Sequence, residues 1–291
     1  MLQRIIALLL SSVNIVFTFL GGISFEQYDV FENVVYGEAE RNIMDIYVPD
    51  SAYKNEYNGI ILYIHGGSWT SGDKDDMADK CKQFARKGYI TATMNYTLYT
   101  QENFGKVTAL TMCDEIGMAV DRIKAFSEEK EFNITKLAVS GYSAGAHLSM
   151  LYGFSRADES SIELVFTANQ VGPSDFHKEV WGSESLASML SGVEFTDEMI
   201  ASGEAEKYIN LVSPTAYVTK DTVPSILAYG GTDMIVPSGN AKRIKEAFEN
   251  SGAVHSYILY PLSNHGLKLD PLCEMEYVNT VVQYCQQYFG Y

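Results

Sequence analysis

The sequence predicts an α/β fold in which helices cover both faces of a mostly parallel central sheet. Short apolar runs typical of buried strands recur along the chain, at 60–64, 137–139, 225–229 and 257–260. Segments with helical periodicity separate these runs, an alternation that indicates a parallel sheet. Each run leads into a turn rich in glycine or polar residues, and open α/β sheets place their functional residues at this end of the strands.

Length and composition fit one large domain. The 291 residues are 46% hydrophobic and 20% charged, which is enough to bury a full core. The formal net charge of −16 argues against nucleic acid and anionic membrane surfaces as partners, because both repel an acidic protein. The sequence contains no internal repeat or low-complexity tract.

Residues 1–22 are predicted to be a targeting segment. Arg4 lies near the start, residues 5–20 are mostly apolar, and nothing in the segment is acidic. The apolar run is short for a spanning helix, which needs about 20 apolar residues, and it fits a signal peptide better. Gly21 and Gly22 only loosely resemble a cleavage site, so an uncleaved N-terminal membrane anchor is the alternative. Either way we expect an exported protein whose residues 23–291 form the folded domain.

Two strand candidates precede the first buried run. Residues 34–36 and 43–48 both favour extended structure, and the second stretch alternates apolar and polar side chains as an outer antiparallel strand would. After the buried run, residues 74–88 are predicted as a helix and residues 89–94 as the next strand.

Three further helices and one strand are predicted in the rest of the chain. Apolar residues recur at three- and four-residue steps over 112–126, which gives a helix with one apolar face. Residues 165–168 read as a strand, and residues 239–250 as a helix that Gly252 ends. The last helix begins at Asp270-Pro271 and runs to about Phe289.

The most informative motif is Gly-Tyr-Ser-Ala-Gly at 141–145. It follows the apolar run at 137–139 and opens a segment of helical character. A serine at the tip of such a strand–turn–helix lies in a strained backbone, so the residues two positions away must be small, and Gly141 and Gly145 meet that need. A serine in a glycine-rich turn can also be purely structural, so the rest of the sequence has to decide.

Two other polar candidates follow predicted strands further along the chain. Asp233 follows the run at 225–229, and His265 follows the run at 257–260. The order serine, aspartate, histidine is that of the α/β-hydrolases. Upstream, the first buried run ends in the sequence His-Gly-Gly at 65–67.

These motifs resemble those of α/β-hydrolase esterases. The chain is similar to the hormone-sensitive-lipase-like and acetyl-xylan or feruloyl esterase-like branch, which carries an HGG oxyanion motif, over nearly everything after the first two dozen residues. One departure is Thr97, which stands where family members often have an arginine. In this fold an insertion such as 178–212, which breaks the strand–helix rhythm, commonly supplies a cap; packed surface structure is the alternative.

The resemblance implies a role for each candidate. Ser143 would be the nucleophile, His265 the base and Asp233 the acid that orients the histidine. The oxyanion donors would be the backbone N–H of Ala144 and those of Gly66 and Gly67, one or both. Asp175 also follows a predicted strand, but it lies in a proline-led turn of ordinary type, so Asp233 is preferred as the acid.

Neighbouring residues are expected to support the site. Trp69 and Tyr142 are predicted to line the pocket, although both have the character of packing residues as well. His65 is interpreted as an anchor of its loop. His147 lies four residues after Ser143 on the helix, so it points back toward the same region, and it is interpreted as structural.

No metal or other cofactor is expected. The histidines lack H-E-x-x-H spacing and the cysteines form no C-x-x-C pair. The cysteines are scattered over predicted helices: Cys81, Cys113, Cys273 and Cys285. The resemblance implies that the first and last helices cover one sheet face, which would allow a bond from Cys81 to Cys273 or Cys285 in an exported protein. Buried free thiols are the preferred state.

The sequence therefore predicts a serine carboxylesterase that acts on short acyl or aryl esters, with a small-molecule or carbohydrate ester as substrate. A serine peptidase of the prolyl-oligopeptidase kind shares the residue order, but it usually carries a large N-terminal propeller, and here the sheet takes up that part of the chain. A binding module on a hydrolase scaffold is the third alternative. Such proteins typically lack a triad member, whereas candidates for all three are present here.

Overall fold

The computed structural model describes residues 26–55 and 58–290. The predicted targeting segment lies outside these residues. Among the helices of the described part of the chain, none is both long and apolar enough to cross a membrane.

The strands of the described chain form one sheet of eight strands, in the order β1-β2-β4-β3-β5-β6-β7-β8. Their bounds are β1 Tyr28–Val35, β2 Ile43–Pro49, β3 Asn58–Ile64, β4 Ile90–Met94, β5 Ile134–Tyr142, β6 Glu163–Gln170, β7 Ser225–Gly230 and β8 His255–Tyr260. β2 pairs antiparallel with β1 and β4, and the strands from β4 to β8 are parallel. The predicted mostly parallel sheet is confirmed.

The prediction that residues 43–48 form an outer strand is wrong. β2 is antiparallel as expected, but it lies inside the sheet, and β1 is the edge strand. The polar residue responsible for the alternation, Asp45, is buried because Lys74 Nζ donates to it over 2.7 Å and the backbone N–H of Asn33 donates over 2.8 Å. A paired carboxylate of this kind can occupy a buried strand, whereas an unpaired one would be costly.

Helices cover both faces of the sheet. They are α1 Ala78–Ala85, α2 Ala109–Glu129, α3 Ala144–Ser155, α4 Lys178–Trp181, α5 Ser185–Ser191, α6 Asp197–Ser202, α7 Glu206–Val212, α8 Ser238–Ser251 and α9 Pro271–Tyr288. The predicted helix at 74–88 is shorter than expected, because a 3₁₀ turn over Lys74–Met77 precedes α1. α2 begins at a capping box in which Thr108 and Thr111 satisfy each other's backbone N–H.

The core lies on the two sides of the sheet. On one side α2 and α3 pack on alternate residues of β2, β3, β4 and β5. On the other side α1 and α9 share a cluster with the opposite residues of β3, β6 and β7. The first and last helices of the described chain thus cover the same face, and Cys81 and Cys285 are both in that cluster. All four cysteines are nevertheless free thiols.

Residues 178–212 form the four short helices α4 to α7. Several of their apolar side chains, including Ala187, Leu190, Ile209 and Val212, belong to the main core. The segment is therefore packed structure with its own buried residues. Its role as a cap stays a prediction.

Candidate active site

Ser143 lies at a tight turn between β5 and α3. Its φ of 55° and ψ of −121° lie in a region that L-residues rarely occupy. The flanking glycines are required by close contacts: a Cβ on Gly141 would lie 2.2 Å from Gly145 O, and a Cβ on Gly145 would lie 2.1 Å from Ile64 O. The turn projects the serine side chain from the carboxyl end of the sheet, as the motif predicts.

The structure brings Ser143, His265 and Asp233 into one hydrogen-bonded chain. His265 Nε2 lies 2.9 Å from Ser143 Oγ, and His265 Nδ1 lies 2.7 Å from Asp233 Oδ2. The residues are separated by 122 and 32 positions, so the sheet is what places them together. Because an ionised carboxylate can only accept, Nδ1 carries the proton and Nε2 is free to accept from the serine hydroxyl.

Asp233 is held in its ionised form. Its other oxygen, Oδ1, accepts hydrogen bonds from the backbone N–H groups of Ile235 (2.8 Å) and Val236 (3.0 Å). Burial opposes the charge, but the hydrogen bond from His265 and the two backbone donors outweigh it and hold the pKa of Asp233 below its usual value. The loop after β7 thus fixes both the charge and the direction of this carboxylate.

Asp175, the alternative acid, belongs to a different network. It accepts from His177 Nδ1 at 2.8 Å and from Arg243 Nη1 at 3.0 Å. His177 in turn lies 2.9 Å from Glu206 on α7. Burial opposes ionisation of Asp175, but hydrogen bonds from His177 and Arg243 lower its pKa overall. Asp175 and its partners therefore connect the insertion, through Glu206 on α7, to α8 of the domain.

Two of the three predicted oxyanion donors, Gly66 and Ala144, adjoin Ser143. A Cβ placed on Gly66 would be 3.2 Å from Ser143 Cβ, so the Gly66 backbone is immediately beside this serine. Gly67 has a φ of 115°, which favours glycine. Ala144 is the first residue of α3, where backbone N–H groups have no partner within the helix. Within residues 26–55 and 58–290, the backbone N–H groups of Gly66, Gly67 and Ala144 donate no hydrogen bond.

Of the two predicted pocket residues, Tyr142 lines a cavity beside the serine. Its hydroxyl donates to the backbone oxygen of His265, and its ring meets the His265 ring edge-on at 5.6 Å. The cavity has a volume of about 640 Å³. Met77 and Leu267 contribute apolar surface to it, beside polar groups described below.

Trp69 has the packing character that was the alternative to lining the pocket. It is only 3% exposed and belongs to the main core. Its indole N–H donates to His147 Nδ1 at 3.1 Å, and its ring packs against Phe176. The physical reason is that the indole finds its hydrogen-bond acceptor inside the domain, so nothing holds it at the surface.

His147 is fully buried, and both of its ring nitrogens have partners. Nδ1 accepts from Trp69, and Nε2 donates to Val212 O at 2.8 Å. This neutral histidine joins the loop after β3 to the last helix of the insertion. Burial lowers the pKa of His147 to about 4, against the smaller opposing effect of the hydrogen bond to Val212.

The buried His147 predicts a stability that falls in acid. Between the usual imidazole value of 6.5 and the folded value of about 4, the unfolded chain binds a proton that the folded protein does not. The contribution of His147 to the unfolding free energy is complete above the unfolded pKa of 6.5, and it is lost as the pH falls toward the folded pKa of about 4. We expect His147→Gln to remove on the order of 3 kcal/mol of the change in unfolding free energy between pH 7 and pH 4. Urea unfolding of both proteins measures this, and equal pH slopes would contradict it.

Several polar residues at the site were not identified from the sequence. Gln170 ends β6, its backbone oxygen accepts from Ser143 N at 2.9 Å, and it lines the cavity together with Lys80 and Glu274. Lys80 and Gln170 both donate to Glu274, over 2.5 Å and 3.3 Å. Gln170 follows the rule that functional residues lie at strand ends, so this rule could have identified it. Lys80 and Glu274 lie in the helices α1 and α9, to which the rule does not apply.

Within the described ranges, no three histidine, cysteine, aspartate or glutamate side chains are grouped so that they could hold a metal ion. The thiols of Cys81, Cys113 and Cys285 are buried. Burial raises the pKa of the Cys113 thiol to about 12, so it stays protonated.

Comparison with curated proteins gives distant relatives. A probable isoprenylcysteine alpha-carbonyl methylesterase of Oryza sativa is 23% identical over 81% of this chain and 57% of its own length. Esterase LipC of Mycobacterium tuberculosis is 20% identical over 86% of this chain and 62% of its own length. The chain thus spans about three-fifths of the length of these relatives.

Solved structures share the fold. A truncated carbohydrate esterase from gut microbiota superposes with a TM-score of 0.74 at 16% identity, and covers 93% of this chain and 99% of its own. Esterase 2 of Thermogutta terrifontis superposes with a TM-score of 0.69 at 18% identity, over 91% of this chain and 95% of its own. These similarities show that the domain has the α/β-hydrolase fold.

The profile of the BD-FAE family matches residues 44–248. The match begins in β2 and ends in α8, so it contains the His-Gly-Gly loop, Ser143 and Asp233. It covers well over half of the chain. By this match, the protein belongs to the BD-FAE family.

Proposed function

We propose that the protein is a carboxylic ester hydrolase that uses Ser143 as its nucleophile. The observation that carries the proposal is the continuous hydrogen-bonded chain from Ser143 Oγ through His265 to Asp233. A serine hydroxyl is a weak nucleophile until a base takes its proton, and this chain supplies the base and the group that orients it. The family match and the esterase names of the relatives favour the same chemistry.

The reaction proceeds in two halves. Ser143 Oγ attacks the ester carbonyl carbon as His265 Nε2 takes the hydroxyl proton, and the carbonyl oxygen becomes an oxyanion. Collapse of this intermediate breaks the bond to the alcohol, which leaves with the proton from His265. Water then attacks the acyl-enzyme and loses a proton to His265. The bond between the acyl carbon and Ser143 Oγ breaks, His265 returns the proton to Oγ, and the carboxylic acid is released. Asp233 stays ionised throughout and stabilises the imidazolium.

The oxyanion is proposed to be held by the backbone N–H groups of Ala144 and of Gly66 and Gly67. The helix α3 begins at Ala144, and the positive end of its dipole favours negative charge at this place. Glycine at 66 keeps the backbone close enough, since a Cβ would lie 3.0 Å from Tyr142 O as well as against the serine. One such donor is typically worth on the order of 10²–10³ in turnover.

Short acyl or aryl esters are the proposed substrates, including esters of small molecules or carbohydrates. The insertion that would have to form a lipase lid is short, and several of its apolar residues, such as Leu190 and Val212, are buried in the main core. The cavity beside Tyr142 is partly lined by the charged and amide groups of Lys80, Gln170 and Glu274, which suit a polar leaving group better than a long alkyl chain.

A chain-length series tests the proposal. We expect p-nitrophenyl acetate and butyrate to be hydrolysed at a kcat/KM at least tenfold above that of the palmitate, and acetylated or feruloylated sugars to be hydrolysed as well. The Ser143→Ala variant serves as the blank. Absence of hydrolysis with every ester would refute the enzymatic function, and interfacial activation on long-chain triglyceride would contradict the proposed substrate class.

A further inference from the structure

The loop that follows β3 is held by the guanidinium of Arg41. This residue lies in the turn between β1 and β2. Its Nε donates to Tyr96 O at 2.9 Å, and its Nη2 donates to Gly72 O at 2.8 Å. The same Nη2 lies 3.5 Å from His65 Nε2. Arg41 therefore contacts both ends of the loop from 65 to 72 without touching Ser143 or His265.

Arg41 and the Gly66 carbonyl face the two ring nitrogens of His65 and favour the same tautomer. An arginine N–H can only donate, so the nitrogen that faces it, Nε2, has to present its lone pair. His65 is completely buried, and burial, reinforced by the Arg41 charge, lowers its pKa, so the ring is neutral and has a single N–H. That hydrogen is left to Nδ1, which donates to Gly66 O at 2.7 Å.

The hydrogen bond from Nδ1 fixes the direction of the Gly66–Gly67 peptide. All peptide bonds of the described chain are trans, so the N–H of Gly67 points opposite to the C=O of Gly66. With the carbonyl turned toward His65, the Gly67 N–H faces away from it. The other side of the carbonyl is closed by Gly72, where a Cβ would lie 2.3 Å from Gly66 O and 2.5 Å from His65 Nδ1.

We propose that Arg41 is a positioning residue for ester hydrolysis, which sets the tautomer of His65 and thereby aims the Gly67 N–H at the oxyanion. The inference rests on the proposed function. Without Arg41 the imidazole is free to place its hydrogen on Nε2. The Nδ1 lone pair would then face the Gly66 oxygen. The repulsion between them would rotate the Gly66–Gly67 peptide and turn the Gly67 N–H away from the oxyanion.

A merely structural role for Arg41 makes a different prediction. If its two hydrogen bonds to Tyr96 O and Gly72 O only tied the loop down, its loss would lower thermal stability and disturb substrate binding. An effect through the oxyanion acts in the transition state alone, so it lowers kcat and leaves KM nearly unchanged. The two roles are therefore separable by kinetics.

The test is a double-mutant cycle with Arg41→Met and His65→Asn. The asparagine amide places an N–H near the position of Nδ1, and it has no tautomer for Arg41 to set. We expect Arg41→Met to lower kcat about 10- to 100-fold in the natural background, below the loss of a whole oxyanion donor, with KM within twofold. In the His65→Asn background the same change should lower kcat less than threefold.

Arg122→Met is the matched control, because Arg122 is as exposed as Arg41 (29% each) and pairs with Glu129 on the surface of α2. Its kcat should equal that of the unmodified protein. Equal losses from Arg41→Met in both backgrounds, or a rise in KM at constant kcat, would overturn the inference.

A second measurement does not depend on turnover. Nitrogen-15 NMR of the His65 ring should show hydrogen on Nδ1 in the unmodified protein and a shift toward Nε2 in Arg41→Met. Hydrogen on Nε2 in the unmodified protein would overturn the inference even if esters are hydrolysed. Failure of the proposed function appears separately, as absence of Ser143-dependent hydrolysis.

Discussion

Ser143→Ala is expected to lower kcat by roughly 10⁶, the scale at which a serine hydrolase loses its nucleophile. The variant should keep its fold, because alanine retains the Cβ and removes only the hydroxyl that His265 Nε2 faces over 2.9 Å. Steady-state hydrolysis of a short ester measures the loss. A fluorophosphonate probe, read out by mass spectrometry, should attach to Ser143 and should fail to label the variant.

The companion variant is Ser143→Ala with His265→Ala. If the residues act as one unit, removing the histidine as well should cost little more than the first change. Additive losses would contradict the proposed pairing.

The variant Ser143→Gly tests the strain of the turn. It should be as inactive as Ser143→Ala but more stable by about 1 kcal/mol, because glycine relieves the strain of the φ of 55°.

The sequence predicts the sheet well because its strands are buried on both faces. Such strands read as continuous apolar runs, and β3 with the sequence Asn-Gly-Ile-Ile-Leu-Tyr-Ile is completely buried.

The position of β2 in the sheet was predicted wrongly, because it depends on a long-range contact that a local sequence pattern does not contain. Asp45 makes the strand look half-exposed, and its partner Lys74 lies 29 positions away.

Those residues of the candidate site that directly follow parallel strands could be predicted from the sequence. Ser143, Asp233 and His265 each follow a parallel strand, and parallel strands bring their carboxyl ends to one edge. The sequence left the role of Trp69 open between packing and the pocket, because its acceptor, His147, is 78 positions away. Arg41 was not found at all, since it lies in the turn between β1 and β2 and reaches the site through His65. Long-range polar pairing is the part of the fold that no local pattern reports.

The acid of the triad can be decided by exchanging each candidate aspartate for its amide. Asp233→Asn is expected to lower kcat by about 10⁴ while the fold is retained. The amide still fits between His265 and the backbone N–H groups of Ile235 and Val236. The amide oxygen has to stay with these two backbone donors, so the amide N–H faces His265 Nδ1, which then accepts. The ring hydrogen moves to Nε2, and the histidine no longer accepts from Ser143.

Asp175→Asn is the matched control, a buried aspartate that also contacts a histidine. Its partners are His177 and Arg243, and neither reaches the serine chain. We expect it to leave kcat within about tenfold and to lower the unfolding free energy instead, because Arg243 and His177 lose a charged partner. The reverse result, with Asp175→Asn inactive and Asp233→Asn active, would mean that Asp175 supplies the acid and that the observed chain through Asp233 is not the one used in catalysis. Urea unfolding and kcat are measured for both variants. Asp233→Asn should lose turnover at nearly constant stability, and Asp175→Asn should lose stability at nearly constant turnover.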